Sequence, residues 1–281
     1  MIIIHKVSEI VKFREERLQS ISTGFVPTMG ALHKGHISLV EKSVKENDYT
    51  IVSIFVNPKQ FNDKNDFLNY PTTIDKDIEL LKKTGCNLVF IPESEDIYNY
   101  YYGISIDFQG LDTMYEGKYR PGHFQGVVDV VYRLFDIIRP NNSYFGEKDF
   151  QQLAIIKLMV KQLNIPIKII AGEIVRENNG LAMSSRNERL SAVERENAAR
   201  IYEVLKNAKK TIKIGDSAGS MVDAIKNRID QNPFLKTEYI AFCDSTNLKP
   251  ISSFSENTVV RLCVAVWCGK IRLIDNINLQ F

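Results

Sequence analysis

Three short segments of this 281-residue chain combine side chains that handle phosphate. The first, Phe25-Val26-Pro27-Thr28-Met29-Gly30-Ala31-Leu32-His33-Lys34-Gly35-His36, reads as a strand that turns through glycine into a helix starting near His36. A helix start presents unpaired backbone N–H groups and the positive end of the helix dipole, and Gly35 lets an anion come close. His33 and His36 stand three apart, so both rings can face one ligand and donate to phosphoryl oxygens during displacement at phosphorus. Taken alone, the pair reads more readily as two surface histidines in a loop. Zinc-type binding has little support, because no third Cys, Asp or Glu ligand lies nearby in sequence.

The second segment, Tyr144-Phe145-Gly146-Glu147-Lys148-Asp149-Phe150-Gln151-Gln152, repeats the order of strand end, glycine and helix start. Lys148 is a compact charge suited to phosphate, and Asp149 is placed to cap the following helix. The third, Gly180-Leu181-Ala182-Met183-Ser184-Ser185-Arg186-Asn187, puts two hydroxyls and a guanidinium on a glycine-led loop. That donor set suits a triphosphate and the pyrophosphate that leaves it. Singly, the second segment is an ordinary charged turn and the third a linker whose serines cap the next turn.

The elements that must hold these segments follow from periodicity. Residues 50–56 and 87–91 read as buried strands, each after a helical stretch: Ile37, Val40 and Val44 keep one helical face, and Ile74, Ile78 and Leu81 another. A longer helix runs from about 124 to 138, with Val127, Val128, Val131, Leu134, Phe135 and Ile138 as its apolar stripe and Pro140 as its stop. Short runs at 143–145 and 167–170 flank a helix carrying Leu153, Ile156, Val160 and Leu163. This alternation predicts an α/β fold, a Rossmann-like doubly wound parallel sheet with ligands beyond the carboxyl ends of its strands. From about residue 177 the pattern changes. Ser191 and Glu194 form a capping box for a helix carrying Ile201, Leu205, Ala208 and Ile212, a second helix covers 218–229, and 238–243 and 258–277 alternate as antiparallel strands. The expected division is 1–176 for a nucleotide- and substrate-binding domain and 177–281 for a smaller α+β domain serving as a lid.

Composition narrows the partners. Lys and Arg number 36 against 34 Asp and Glu, a net charge of +2, which is far from the basic field of a nucleic-acid binder. No apolar run approaches the roughly 18 residues of a membrane span, and the apolar start meets His5 and Lys6 too soon for a signal-peptide core, so the expectation is a cytoplasmic protein without membrane contact. Cys86, Cys243, Cys263 and Cys268 show no metal or redox spacing and read as buried free thiols.

Val26 to His36 also resembles the H-x-G-H signature of the nucleotidylyltransferase and class I aminoacyl-tRNA synthetase superfamily, and Met183 to Arg186 resembles its K-M-S-K-S counterpart. With Phe55-Val56-Asn57-Pro58, Gln60-Phe61, Tyr70-Pro71, Arg120-Pro121-Gly122-His123-Phe124, Gly146 to Asp149 and Arg272-Leu273-Ile274-Asp275-Asn276, the resemblance narrows to the pantothenate synthetase (pantoate–beta-alanine ligase) family over essentially the whole chain. The resemblance implies a two-step ligase: ATP and (R)-pantoate form pantoyl adenylate and pyrophosphate, and beta-alanine then yields pantothenate and AMP. It implies ATP binding by Met29, Gly30, Ala31, Leu32, His33, Lys34, Gly35, His36, Gly146, Glu147, Lys148, Asp149, Val175, Met183, Ser184, Ser185 and Arg186. It assigns pantoate to Gln60 and Gln152, with Gln60 also near beta-alanine, and catalysis to His36, His33, Lys148 and Arg186. Magnesium is expected to arrive with the nucleotide, with no protein metal ligands assigned and Asp77 as an outer contact at most. A homodimer made through the larger domain is likewise implied.

Uncharged amides at Gln60 and Gln152 can hold a hydroxyl and a carboxylate without quenching a nucleophile, and they argue against a phosphorylated acceptor, which would call for extra cations. Met29, Phe55, Val130 and Val131 are candidates for an apolar wall. Arg120 and His123 either line the site or shape the turn before the long helix. Asn62-Asp63-Lys64-Asn65-Asp66 reads as a solvated surface loop or a mobile gate.

Overall fold

The computed structural model describes residues 1–100 and 103–281. Its contacts divide the chain into two units, Met1–Glu147 with Gln152–Glu173, and Lys148–Gln151 with Ile174–Phe281. The first segment of unit two thus contains Lys148, and the second begins three residues before the boundary read from sequence.

In the first unit the chain runs β1 (Ile2–Ile4), α1 (Val7–Arg17), β2 (Thr23–Thr28), α2 (Lys34–Glu46), β3 (Tyr49–Ile54), α3 (Lys64–Leu68), α4 (Ile74–Lys82), β4 (Leu88–Phe90), α5 (Ser94–Tyr100), α6 (Tyr115–Tyr119), α7 (His123–Ile138), β5 (Asn142–Gly146), α8 (Phe150–Gln162, whose first two residues count with the second unit) and β6 (Lys168–Gly172). The six strands form one parallel sheet in the order β1-β4-β3-β2-β5-β6. The apolar β-branched runs at β3 and β4 are buried throughout except at Tyr49, as expected of parallel strands covered on both faces. Strand order reverses between β2 and β5, and such a reversal opens a crevice at the carboxyl ends of the two strands.

The sequence missed β1, an edge strand of three isoleucines in which only Ile4 is buried. So short a run has no alternation from which to read a strand. Helix α7 differs from its reading as a one-stripe helix. Thirteen of its 16 residues are buried, including Asp129 and Arg133, which pair at 3.2 Å one turn apart. A helix covered on nearly all sides serves as core, and here it also carries the wall against which the turn Pro58–Gln60 rests.

The second unit contains α9 (Ala192–Ala198), α10 (Arg200–Thr211), α11 (Ala218–Asp230), β7 (Leu235–Asp244), β8 (Val259–Cys268) and β9 (Ile271–Gln280). The three strands form an antiparallel sheet in the order β7-β8-β9. Ser191 makes the expected capping box with Glu194. The single helix expected after it is two, divided at Ala199, and the antiparallel strands expected within 258–277 are β8 and β9. Ile201, Leu205, Ala208 and Ile212 pack into one core with Ile225, Phe242, Phe254, Leu262 and Val264. All four cysteines are free and buried. No helix among the described residues is long and apolar enough to cross a membrane.

Candidate active site

Strand β2 ends at Thr28, and α2 begins at Lys34, two residues before the start read from sequence. The cause is His33, which is the N-cap: its Nδ1 accepts the N–H of Gly35 at 3.1 Å. His36 becomes the third helical residue, and its Nδ1 accepts the N–H of His33 at 3.4 Å. The pair forms a capping box built from imidazoles instead of Ser and Glu. The rings stack with centroids 4.0 Å apart and an interplanar angle of 29°. A ring whose Nδ1 accepts a backbone N–H carries its proton on Nε2 when neutral, so the capping geometry fixes both histidines as Nε2–H donors.

The turn before the cap is pinned from elsewhere in the first unit. Gly30 has φ +81° and Ala31, a residue with a side chain, has φ +48°. Two successive left-handed residues do not persist without support. Asp77, buried on α4, supplies it: one carboxylate oxygen accepts the N–H of Ala31 at 2.9 Å and the other that of Leu32 at 2.8 Å. Thr73 Oγ1 donates to the same carboxylate at 3.1 Å. Asp77 is therefore a loop anchor, with both carboxylate oxygens engaged by the protein.

Gln60 ends the turn Pro58–Gln60, and its position is also overdetermined. Its side-chain Oε1 accepts from Asn57 Nδ2 at 2.9 Å, and its Nε2 lies 3.1 Å from Met29 Sδ. Its carbonyl oxygen accepts from His123 Nδ1 at 2.7 Å and from Arg120 Nη2 at 3.3 Å. Arg120 and His123 thus hold the backbone of Gln60. Asn57 Nδ2 donates to Gly126 O at 3.1 Å, and a Cβ at Gly126 would collide with the Lys59 carbonyl oxygen. Only glycine allows the turn to lie directly on α7. Met29 and Phe55 line a cavity of about 260 Å³ together with Pro58, Phe67 and Asp77. Val130 and Val131 are not among its lining residues; they are buried on α7. Residues 62–66 are partly helical, since Asp63 caps α3 through the N–H of Asn65 at 2.7 Å. Gln152 is half-buried at the start of α8.

β5 ends at Gly146 and is followed by a short turn at Glu147–Asp149, with α8 starting at Phe150 directly after Asp149. Lys148 Nζ stands 3.6 Å from the Asp149 carboxylate. In the second unit, Val175 and Met183 meet in a small hairpin: Met183 N–H donates to Val175 O at 3.0 Å, and Arg176 forms a bridge with Ala182. Ser184 caps the turn Ser185–Arg189 by accepting the N–H of Arg186 at 3.3 Å, Ser185 is buried, and Arg186 is half-buried. Ser184 thus has the capping role weighed for it as an alternative.

Two residues already noted in the sequence have structural roles that no local signal disclosed. Asp77 and Asn57 act through backbone groups far along the chain, and polar residues within apolar helices or at turns are too common to single out. Among the described residues, no group of three His, Cys, Asp or Glu side chains could hold a metal ion.

A family model described as Pantoate-beta-alanine ligase matches residues 2–278. A curated relative, pantothenate synthetase of Bacteroides thetaiotaomicron, is 45% identical over 279 residues, with 99% of each chain covered. Among solved structures, the pantothenate synthetase of Thermus thermophilus aligns over 100% of both chains with a TM-score of 0.92 and 36% identity. That of Francisella tularensis, solved as a pantoate-beta-alanine ligase complexed with beta-gamma ATP and beta-alanine, aligns over 99% of this chain and 97% of its own, with a TM-score of 0.83 and 38% identity.

Proposed function

The chain belongs to the pantoate–beta-alanine ligase family, and from that premise we propose how its own residues carry the family's reaction. ATP and (R)-pantoate give pantoyl adenylate and pyrophosphate; beta-alanine then takes the pantoyl group to give pantothenate and AMP. The observation that carries the residue assignment is the His33–His36 capping box at the carboxyl end of β2, beside the reversal of strand order.

In the first step a pantoate carboxylate oxygen attacks the α-phosphorus in line and pyrophosphate leaves with the electron pair of the broken P–O bond. His33 and His36 present Nε2–H donors to the oxygens on which charge builds, and their rings cannot turn away without uncapping α2. Met29 to Gly35 and Gly146 to Asp149 bind ATP alongside them, with Lys148 neutralising phosphate charge. Val175 and Met183 to Arg186 complete the nucleotide contacts, and Arg186 stabilises the departing pyrophosphate. Gln60 and Gln152 hold pantoate, Gln60 from a turn fixed on both its backbone and its side chain. In the second step the amine of beta-alanine attacks the acyl carbon and AMP leaves, so the protein's task is positioning and exclusion of water.

Magnesium brought with the nucleotide would offset phosphate charge there, and no residue of this chain is assigned to hold it. The second unit serves as a lid, two copies associate through the first unit, and the enzyme works in the cytoplasm. The complex of the Francisella tularensis relative with an ATP compound and beta-alanine supports the choice of substrates. The test is pyrophosphate release from ATP and magnesium with pantoate, beta-alanine, both or neither. Pantothenate should form only with both, and its absence there would refute the reading.

A further inference from the structure

The sequence Arg272-Leu273-Ile274-Asp275-Asn276 lies on β9, and the reaction just described leaves it without a task. Two of its residues are buried polar groups that reach out of their own sheet. Asn276 uses both ends of its amide: Nδ2 donates to the carbonyl oxygen of Lys148 at 3.0 Å, and Oδ1 accepts from Arg261 Nη1 at 3.1 Å. The Arg261 guanidinium in turn lies over the Phe150 ring, 4.2 Å from its centroid. The short segment Lys148–Gln151 is therefore gripped twice, once on each side of Asp149.

Asp275 serves the other segment. Its carboxylate takes two hydrogen bonds from Arg176, at 2.7 and 2.9 Å, and one from the N–H of Asn276 at 2.7 Å. Arg176 continues to Gly180 O at 3.1 Å and packs over the Tyr202 ring at 3.6 Å. Arg176 also bridges Ala182, so it holds both the turn and the return of the hairpin that leads into Met183 to Arg186. A buried ion pair gains little stability over apolar residues of the same size, because desolvation offsets its attraction. What this one contributes is a fixed geometry.

We propose that Asp275 and Asn276 form a positioning pair that sets two ATP-handling segments of the second unit from one point on β9: Lys148 through Asn276, and 180–186 through Asp275 and Arg176. The proposal rests on the assignment of Lys148 and Met183 to Arg186 to ATP made above. Adjacent strand residues point to opposite faces, so neighbours in sequence can grip two separate segments. One strand then fixes the spacing between the cation and the donors of the loop.

The test uses the full chain and pantoate-dependent ATP–pyrophosphate exchange, which reads the first half-reaction alone. Asn276→Asp keeps shape and the acceptor for Arg261 but sets a carboxylate against the Lys148 carbonyl. It should lower exchange kcat at least tenfold and leave the KM for beta-alanine, measured in the second half-reaction, within twofold. Asp275→Asn is the second variant; by loosening the hairpin it should raise the KM for ATP at least fivefold. Wild-type exchange in both variants overturns the pair, as does a loss of activity matching the loss of folded protein seen by circular dichroism. If the unaltered chain shows no pantoate-dependent exchange, the functional assignment itself fails, an outcome separate from the variants.

Discussion

Asp77 accepts the N–H of Leu32 at 2.8 Å across 45 residues of sequence, and so holds the turn that delivers His33. The same carboxylate takes the N–H of Ala31, whose backbone is left-handed. Asp77→Ala leaves two buried donors unpaired, each worth about 1–3 kcal/mol, and lets the turn relax. Thermal unfolding should fall by several degrees, and kcat should fall more than the KM for ATP rises. Asp77→Asn, which keeps one acceptor, should lie between; steady-state kinetics and calorimetry read both effects.

His36→Ala and Lys148→Ala remove groups assigned to the transition state, whereas Gln152→Ala removes one assigned to pantoate. The first two should lower kcat by about 100-fold or more, the order found for loss of one preorganised donor. Gln152→Ala should chiefly raise the KM for pantoate, because an interaction made equally in ground and transition states shows there. Unchanged constants in all three variants would remove the assignment.

Gln60 gives a test away from the reacting atoms. Gly126→Ala drives a methyl into the Lys59 carbonyl oxygen and must lift the turn from α7. The KM for pantoate should rise at least tenfold, with a smaller rise for ATP. His123→Ala, which deletes a 2.7 Å contact to the Gln60 carbonyl, should move the same constant in the same direction. Equal changes in all substrates' constants would mean general unfolding and could be checked by a urea melt.

Burial pushes the Cys86 thiol up to about 12 and the Cys268 thiol up to about 11. An unfolded thiol ionises near about 8.5, so the folded form is the one that keeps its proton as pH rises. The stability due to these thiols is present below about 8.5 and is lost as pH climbs toward 11–12. Urea midpoints should decline on the alkaline side, less steeply in Cys86→Ala. Native protein at pH 8 should resist alkylation at both positions, and rapid labelling there would contradict the burial.

The parallel sheet and the strand–turn–helix shape of the segments at His33 and Lys148 were legible because they rest on local signals: β-branched runs, glycine turns and helix starts. His33 as a cap was not, since imidazole is a rare capping group and the usual signs are Ser, Thr, Asp or Asn. The start of α2 was accordingly read two residues late, at the residue whose ring closes the box. Asp77 escaped for a different reason. On α4 it looks like one more acidic residue near a helix start, and its real partners are amides more than forty positions away. Long-range polar anchors therefore account for most of what the sequence concealed, and local pattern for most of what it disclosed.

The hydrogen bond from Asn276 to the Lys148 carbonyl spans 128 positions. During synthesis at roughly 5–20 residues per second, Lys148 leaves the ribosome about ten seconds before the amide that fixes its backbone exists. Asp77 follows His33 far sooner, so the histidine turn can be set while the lysine segment is still waiting. The growing chain acquires the segments proposed to hold the nucleotide in two instalments, and the later one depends on β9.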